Sequence, residues 1–153
     1  MKLSRSIFCC VALGLAAISF PFLIAQDEKG QPMNSPYFSA TVYQVKENST
    51  GSSAHIYFPP GVRTKWHSHE MGQVILCEEG TCINAVKGGP VIELHAGETS
   101  YAPPGVPHWQ GAALNAGGTQ FNTARGKITW MDPVTEEEYK TPTSHVAIVT
   151  PKK

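Results

Sequence analysis

The stretch Gly61-Val62-Arg63-Thr64-Lys65-Trp66-His67-Ser68-His69-Glu70-Met71-Gly72-Gln73 carries the pattern from which the rest of the chain is read. In a β-strand the side chains at i and i+2 leave the same face, so His67 and His69 can reach one ion. Gly72 lets the chain turn and bring back the amide oxygen of Gln73. A later segment, Pro103-Pro104-Gly105-Val106-Pro107, is a rigid turn that fixes where the imidazole of His108 points. By itself His-x-His also describes two solvated or hydrogen-bonded histidines. The wider spacing changes the weight. Gly61, five residues, His67-Ser68-His69, three residues, Gln73, six residues and Gly80 make one motif; Gly97, five residues, Pro103-Pro104-Gly105, two residues and His108 make another.

The surrounding chain suits many short strands. Its 153 residues correspond to about one domain, and 14 Gly with 12 Pro predict turns in place of long helices. Charged residues make up 16%, with Lys+Arg (12) equal to Asp+Glu (12), which excludes the basic excess of a nucleic-acid binder and an acidic disordered tail. Short β-rich runs are expected at 38–46, 54–58, 65–69, 73–77, 82–86, 91–94, 99–102, 106–110 and 119–123. Such regular spacing implies an all-β sandwich or barrel. One short helix is expected after Thr135, which with Glu138 fits a capping box.

Residues 1–25 read as an export signal. Lys2 and Arg5 precede the apolar run 7–20, and Ala25 stands before the polar stretch Gln26-Asp27-Glu28-Lys29. The expected product is periplasmic or secreted, with no membrane attachment after cleavage. Residues 26–36 read as a flexible leader, 37–140 as the single domain and 141–153 as a C-terminal extension. Its apolar patch Val146-Ala147-Ile148-Val149 is compatible with an edge strand or a loose tail. Cys77 and Cys82 flank Glu78-Glu79-Gly80-Thr81, the sequence of a hairpin turn, and could face each other as a disulfide or remain two apolar thiols.

With both motifs in hand, the chain resembles the cupin superfamily, which implies a double-stranded β-helix (a jelly-roll barrel) enclosing one divalent ion. The resemblance places its ligands at His67, His69, Gln73 and His108. Gln73 stands where the general pattern has an acidic ligand, and Ala112 where it has Asn. Within the superfamily, 61–73, Pro107-His108-Trp109, Gly111-Ala112-Ala113, 126–131, Val134-Thr135 and Glu138-Tyr139 are similar to small bacterial manganese-dependent cupins with hydroxynitrile lyase activity. That likeness covers about 37–140 and implies Mn(II), with Fe(II) or Zn(II) behind it. It implies cavity positions at Thr64, Gln110 and Gln120. The group has histidines where this chain has Gln110 and Gln120, one of them the general base. A glutamine accepts no proton near neutral pH, so the group's proton-transfer route does not carry over unchanged.

The ligand set has its own consequences. A Gln ligand neutralises none of the ion's charge, so the site keeps close to +2, binds its ion less tightly than a Glu site, and draws anions and bound-water protons more strongly. Trp66 and Trp109 neighbour ligand histidines, and alternation turns them away from the ion toward outer-face packing or a subunit contact. If Ile56 and Phe58 face the barrel, His55 lies outside it. His95 reads as solvent-facing, and His145 has no evident partner. The expected function is an exported lyase-like enzyme acting on a small molecule. An Fe- or Mn-dependent dioxygenase and a non-catalytic binding cupin are the alternatives. A homodimer or larger homo-oligomer is expected, because pairing protects an outer sheet.

Overall fold

In a computed structural model, residues 30–46 and 52–145 are described. The expected export signal, the start of the leader and the apolar patch at 146–149 lie outside the described residues. No helix among the described residues is long and apolar enough to cross a membrane.

Among the described residues, eleven strands and one helical turn follow in order: β1 (Gln31–Met33), β2 (Val42–Lys46), β3 (Ser53–Phe58), β4 (His67–His69), β5 (Gln73–Val86), β6 (Val91–His95), β7 (Thr99–Ala102), β8 (His108–Ala112), β9 (Gly118–Ala124), β10 (Ile128–Trp130), α1 (Glu136–Tyr139) and β11 (Ser144–His145). The expected all-β cupin barrel is the observed fold. One curved layer runs β1-β2-β3-β9-β5-β7, the other β6-β5-β8-β4-β10, and β5 belongs to both. All pairings are antiparallel except that of β11, which adds to β6 in parallel. Closing the layers around one long strand leaves a single interior into which alternate side chains point.

Residues 77–82 differ from the expected hairpin. The arms on either side of Gly80 do not pair with each other. Gln73–Leu76 pairs with β7 and Gln73–Gly80 with β9, whereas Cys82–Val86 pairs with β8 and Thr81–Ala85 with β6. The segment is a corner inside a continuously bonded strand, with a register shift between Cys77 and Glu79 and Gly80 at φ +72°. A positive φ is readily adopted by glycine, and the shift bends the strand from one layer into the other. The corner brings the Cα atoms of Cys77 and Cys82 to 5.9 Å, and the two sulfurs are bonded.

Alternation sorts the remaining side chains. Val42, Ile56, Phe58, Val62 and Ala112 form an interior cluster, as expected for Ile56 and Phe58. His55 faces out, where its Nδ1 lies 2.8 Å from Glu78 Oε2 and its ring packs on Phe121. Trp109 is buried against Ile83, Ala85, Val91, Val134 and Tyr139 on the side away from the ligand histidines, with Trp66 packed beside it. α1 closes this outer cluster. Its N-cap is Thr135, and the Thr135–Glu138 capping box is present in both directions. Tyr139 Oη donates to the Ala112 carbonyl at 2.7 Å, while Arg63 Nη2 donates to Glu136 Oε1 at 2.6 Å and its guanidinium lies 4.2 Å from the Tyr139 ring centre.

Three short strands were not among the expected runs. β1 lies within the expected leader, β10 pairs with β4, and β11 brings His145 close to Glu98 at 3.2 Å and the His95 ring at 4.9 Å. His145 therefore has partners, contrary to the expectation from sequence. Each of these strands is two or three residues long, too short to show a hydrophobic period.

Candidate metal centre and cavity

Backbone register assembles the site. His67 of β4 pairs directly with His108 of β8, and Trp130 of β10 pairs with His67 from the other side. The i, i+2 alternation then puts His69 on the face of His67, and Gly72, at φ +79°, turns the chain so that Gln73 begins β5 beside them. A side chain on Gly72 would run into the Ala102 carbonyl, so the turn is closely packed as well as left-handed.

The imidazoles are oriented by backbone carbonyls. Nδ1 of His67 lies 3.0 Å from the Lys65 carbonyl, and Nδ1 of His108 lies 3.0 Å from that of Val106. Donation from Nδ1 to these carbonyls leaves Nε2 of each ring as a lone-pair donor turned inward, the second-layer arrangement that metal-binding histidines use. Gln73 Oε1 lies 2.7 Å from His108 Nε2. His69 is 5% exposed and neither of its ring nitrogens has a hydrogen-bond partner. Buried polar atoms are nearly always satisfied, so a buried imidazole without such a partner beside two others is an arrangement that a bound ion would complete. One donor atom from each of the three histidines lies within 4.8 Å of the others.

Electrostatics favour the same reading. Burial above all, and then the charge that His108 would carry, pushes His67 down to about 3. The same causes in the same order push His69 down to about 4, and burial lowers His108. All three rings are neutral at physiological pH, which is the ligating form. His67, His69, Gln73 and His108, the four residues implied by the resemblance, stand together, and this donor set fits a divalent first-row metal.

The site opens into a cavity of about 580 Å³, the size of ordinary small-molecule sites. Thr64 and Gln110 line it, together with His67, His69 and Gln73. Gln120 does not. It faces the barrel interior but lies deeper, fully buried, with Nε2 donating 2.6 Å to the Gly111 carbonyl. Its neighbour by alternation, Asn122, reaches the cavity instead.

Asn122, Trp130, Phe38 and Arg125 are cavity residues that sequence reasoning did not pick out. The Trp130 ring lies 4.6 Å from that of His67 and stacks on Tyr37 at 4.2 Å. The alternation of β9 was enough to find Asn122. No local signal marks the other three, since β10, Phe38 and the turn at Arg125 are placed by partners distant in sequence.

The cupin domain family matches residues 54–115. The (R)-mandelonitrile lyase of Granulicella tundricola is 34% identical over 113 residues, 68% of this chain and 86% of that enzyme. A cupin-like protein from Thermotoga maritima superposes with a TM-score of 0.64 at 32% identity, covering 74% of this chain and 92% of its own. A predicted oxalate decarboxylase from the same organism has a TM-score of 0.52 at 17% identity, covering 67% and 95%, and shares the fold. The cupin domain match and an identity of 34% across 86% of a mandelonitrile lyase, on a barrel that brings both motifs to one buried point, make this chain a member of the cupin superfamily resembling the hydroxynitrile lyases.

Proposed function

We propose that the protein is an exported, manganese-dependent cupin enzyme that forms or cleaves a carbon–carbon bond at an oxygen-bearing carbon of a small molecule, in the manner of a hydroxynitrile lyase. The observation that carries this reading is the buried His69, without a hydrogen-bond partner, grouped with His67 and His108 where His67 and His69 line the cavity, in a chain 34% identical to a mandelonitrile lyase. His67, His69, His108 and Gln73 would hold the ion. When bound, it supplies Lewis-acid stabilisation of charge developing on a substrate oxygen.

The chain's own residues do the rest. Gln110 lines the cavity, and its neutral amide can position groups beside the substrate but cannot remove a proton. Thr64 Oγ1 accepts from the backbone N–H of Gln110 at 3.2 Å and holds that strand in place. Gln120 acts through Gly111 as a positioning residue. Phe38, Ile56 and Trp130 supply an apolar wall that limits water around the substrate.

We infer a homodimer or larger homo-oligomer as well, because pairing would cover an outer sheet face. Light scattering of the purified protein checks it. Elemental analysis combined with anaerobic cyanide release from mandelonitrile tests the catalytic reading. Bound manganese and metal-dependent release, both lost in His67→Ala, are expected. A metal-free protein that refuses manganese, iron and zinc overturns it, as does turnover that survives His67→Ala. Oxygen uptake would instead identify a dioxygenase.

A further inference from the structure

Three adjacent strands set a row of rings through the site. His108 of β8 and Trp130 of β10 are the register partners of His67 on its two sides. Side chains directly opposite each other in antiparallel strands share a face, so the three lie side by side. The His67 ring is 4.4 Å from that of His108, tilted by 57°, and 4.6 Å from that of Trp130, tilted by 35°. Among the described residues, His67 is the one member of the histidine trio with a ring from outside the trio against it.

The indole is itself held in place. Tyr37 stacks on it at 4.2 Å with the ring planes 7° apart. Main-chain bonds then tie both rings to the segment that orients His67. The Lys65 N–H donates to the Tyr37 carbonyl at 2.8 Å, the Trp66 N–H to the Asp132 carbonyl at 3.1 Å, and the Met131 N–H to the Trp66 carbonyl at 2.8 Å. Between these bonds sits the Lys65 carbonyl, 3.0 Å from His67 Nδ1. Tyr37, Trp130 and that carbonyl therefore keep fixed positions relative to one another. One hydrogen bond aims an imidazole without fixing its tilt, because the ring can still rock about the bond and swing Nε2 aside. A flat wall against the ring removes that freedom. Ligand side chains work only within roughly 10–20° of one orientation, and packing supplies what the hydrogen bond leaves open.

We propose that Trp130, backed by Tyr37, is a positioning residue that sets the tilt of the His67 imidazole for ion binding. The inference rests on the metal-dependent reading above, and it gives Trp130, already part of the cavity lining, a second role in holding the ion. A smaller side chain at 130 leaves the Nδ1 hydrogen bond of His67 in place and frees the face of the ring. Its cost therefore falls on metal affinity as well as on the fold.

Competition between the protein and a chelator for Mn(II), read beside thermal melts, tests it. Trp130→Leu should weaken Mn(II) binding about tenfold, the lower end of what the outer partners of a metal site are worth. Trp130→Phe keeps a flat ring and should recover most of the loss, and Tyr37→Ala should weaken binding in the same direction by less. Trp66→Leu is the packing control. Its ring belongs to the outer cluster with Trp109, so this change should lower the melting temperature and leave Mn(II) affinity at the wild-type value. Electron paramagnetic resonance of the bound Mn(II) adds a readout that lost stability alone does not move. The signal should broaden in Trp130→Leu and return toward the wild-type shape in Trp130→Phe. Wild-type affinity in Trp130→Leu, or an equal loss in Trp66→Leu, overturns the inference and leaves the metal reading standing. Should Trp130→Leu fail to fold, Tyr37→Ala at its exposed position decides, and unchanged affinity and signal there overturn the inference. A wild-type protein that takes up no manganese, iron or zinc overturns both.

Discussion

Gln73 Oε1 and His108 Nε2 face each other at 2.7 Å, one from the start of β5 and one from the start of β8. The two atoms come from separate layers and meet beside the buried ring of His69. Because Gln73 is neutral, this contact brings an oxygen donor without a charge.

Gln73→Glu should therefore raise affinity for a divalent ion by about tenfold or more, since a full charge a few ångströms from the ion is worth several kcal/mol even in a partly screened site. The same substitution should weaken anion binding in the cavity. Competition with a chelator measures the first effect and anion titration the second. Unchanged metal affinity would remove Gln73 from the ligand set.

Stability of the metal-free protein should fall as pH is lowered from about 6.5 toward 4. His67 and His69 are held down to about 3 and about 4 in the fold, whereas in the unfolded chain they take up protons near the ordinary imidazole value of 6.5. Between those values the unfolded chain binds more protons, so stability rises with pH, and above about 6.5 these groups contribute no slope. Urea melts at a series of pH values check it. A flat profile from pH 6.5 to 4 would show that the rings are not buried in neutral form.

Gly111→Ala should destabilise the barrel by about 1–3 kcal/mol. A Cβ there would collide with the Val62 carbonyl and lie 2.7 Å from Arg63 Cα, both of them backbone atoms that cannot rotate away. The same strand carries His108 and Gln110, so metal affinity should fall with stability. Denaturant midpoints measure the first effect; a wild-type midpoint would mean that the strands are further apart than described.

Breaking the Cys77–Cys82 bond should cost about 2 kcal/mol, the small value that chain-entropy reasoning assigns to so short a loop. A melt of the Cys77→Ser/Cys82→Ser protein reads it, and a gain of two hydrogens in mass on reduction establishes the bond itself. Absence of that mass change refutes the pairing.

Local pattern reached far into this molecule. The run Thr99–Ala102 is a strand with the expected ends, Thr135 caps α1, and Trp109 turns outward because it neighbours an inward His108. Where expectation missed, the cause was non-local. The Glu78–Thr81 stretch has the composition of a hairpin turn, yet β6, β7, β8 and β9 compete for its two arms and win, leaving a corner. Trp130 enters the site because β10 pairs with β4, some sixty residues away along the chain.

Motif spacing and strand alternation were enough to name four donors and to say which face each side chain leaves. Their limit is depth. Gln110, Gln120 and Asn122 all face the interior, but alternation has a period of two residues and carries no coordinate along the barrel axis. Only the closure of the two layers decides that Gln110 and Asn122 reach the cavity while Gln120 is tied to Gly111 beneath it. The same closure brings Arg125 to the cavity lining, because a turn between β9 and β10 is placed by the strands that flank it and not by its own residues.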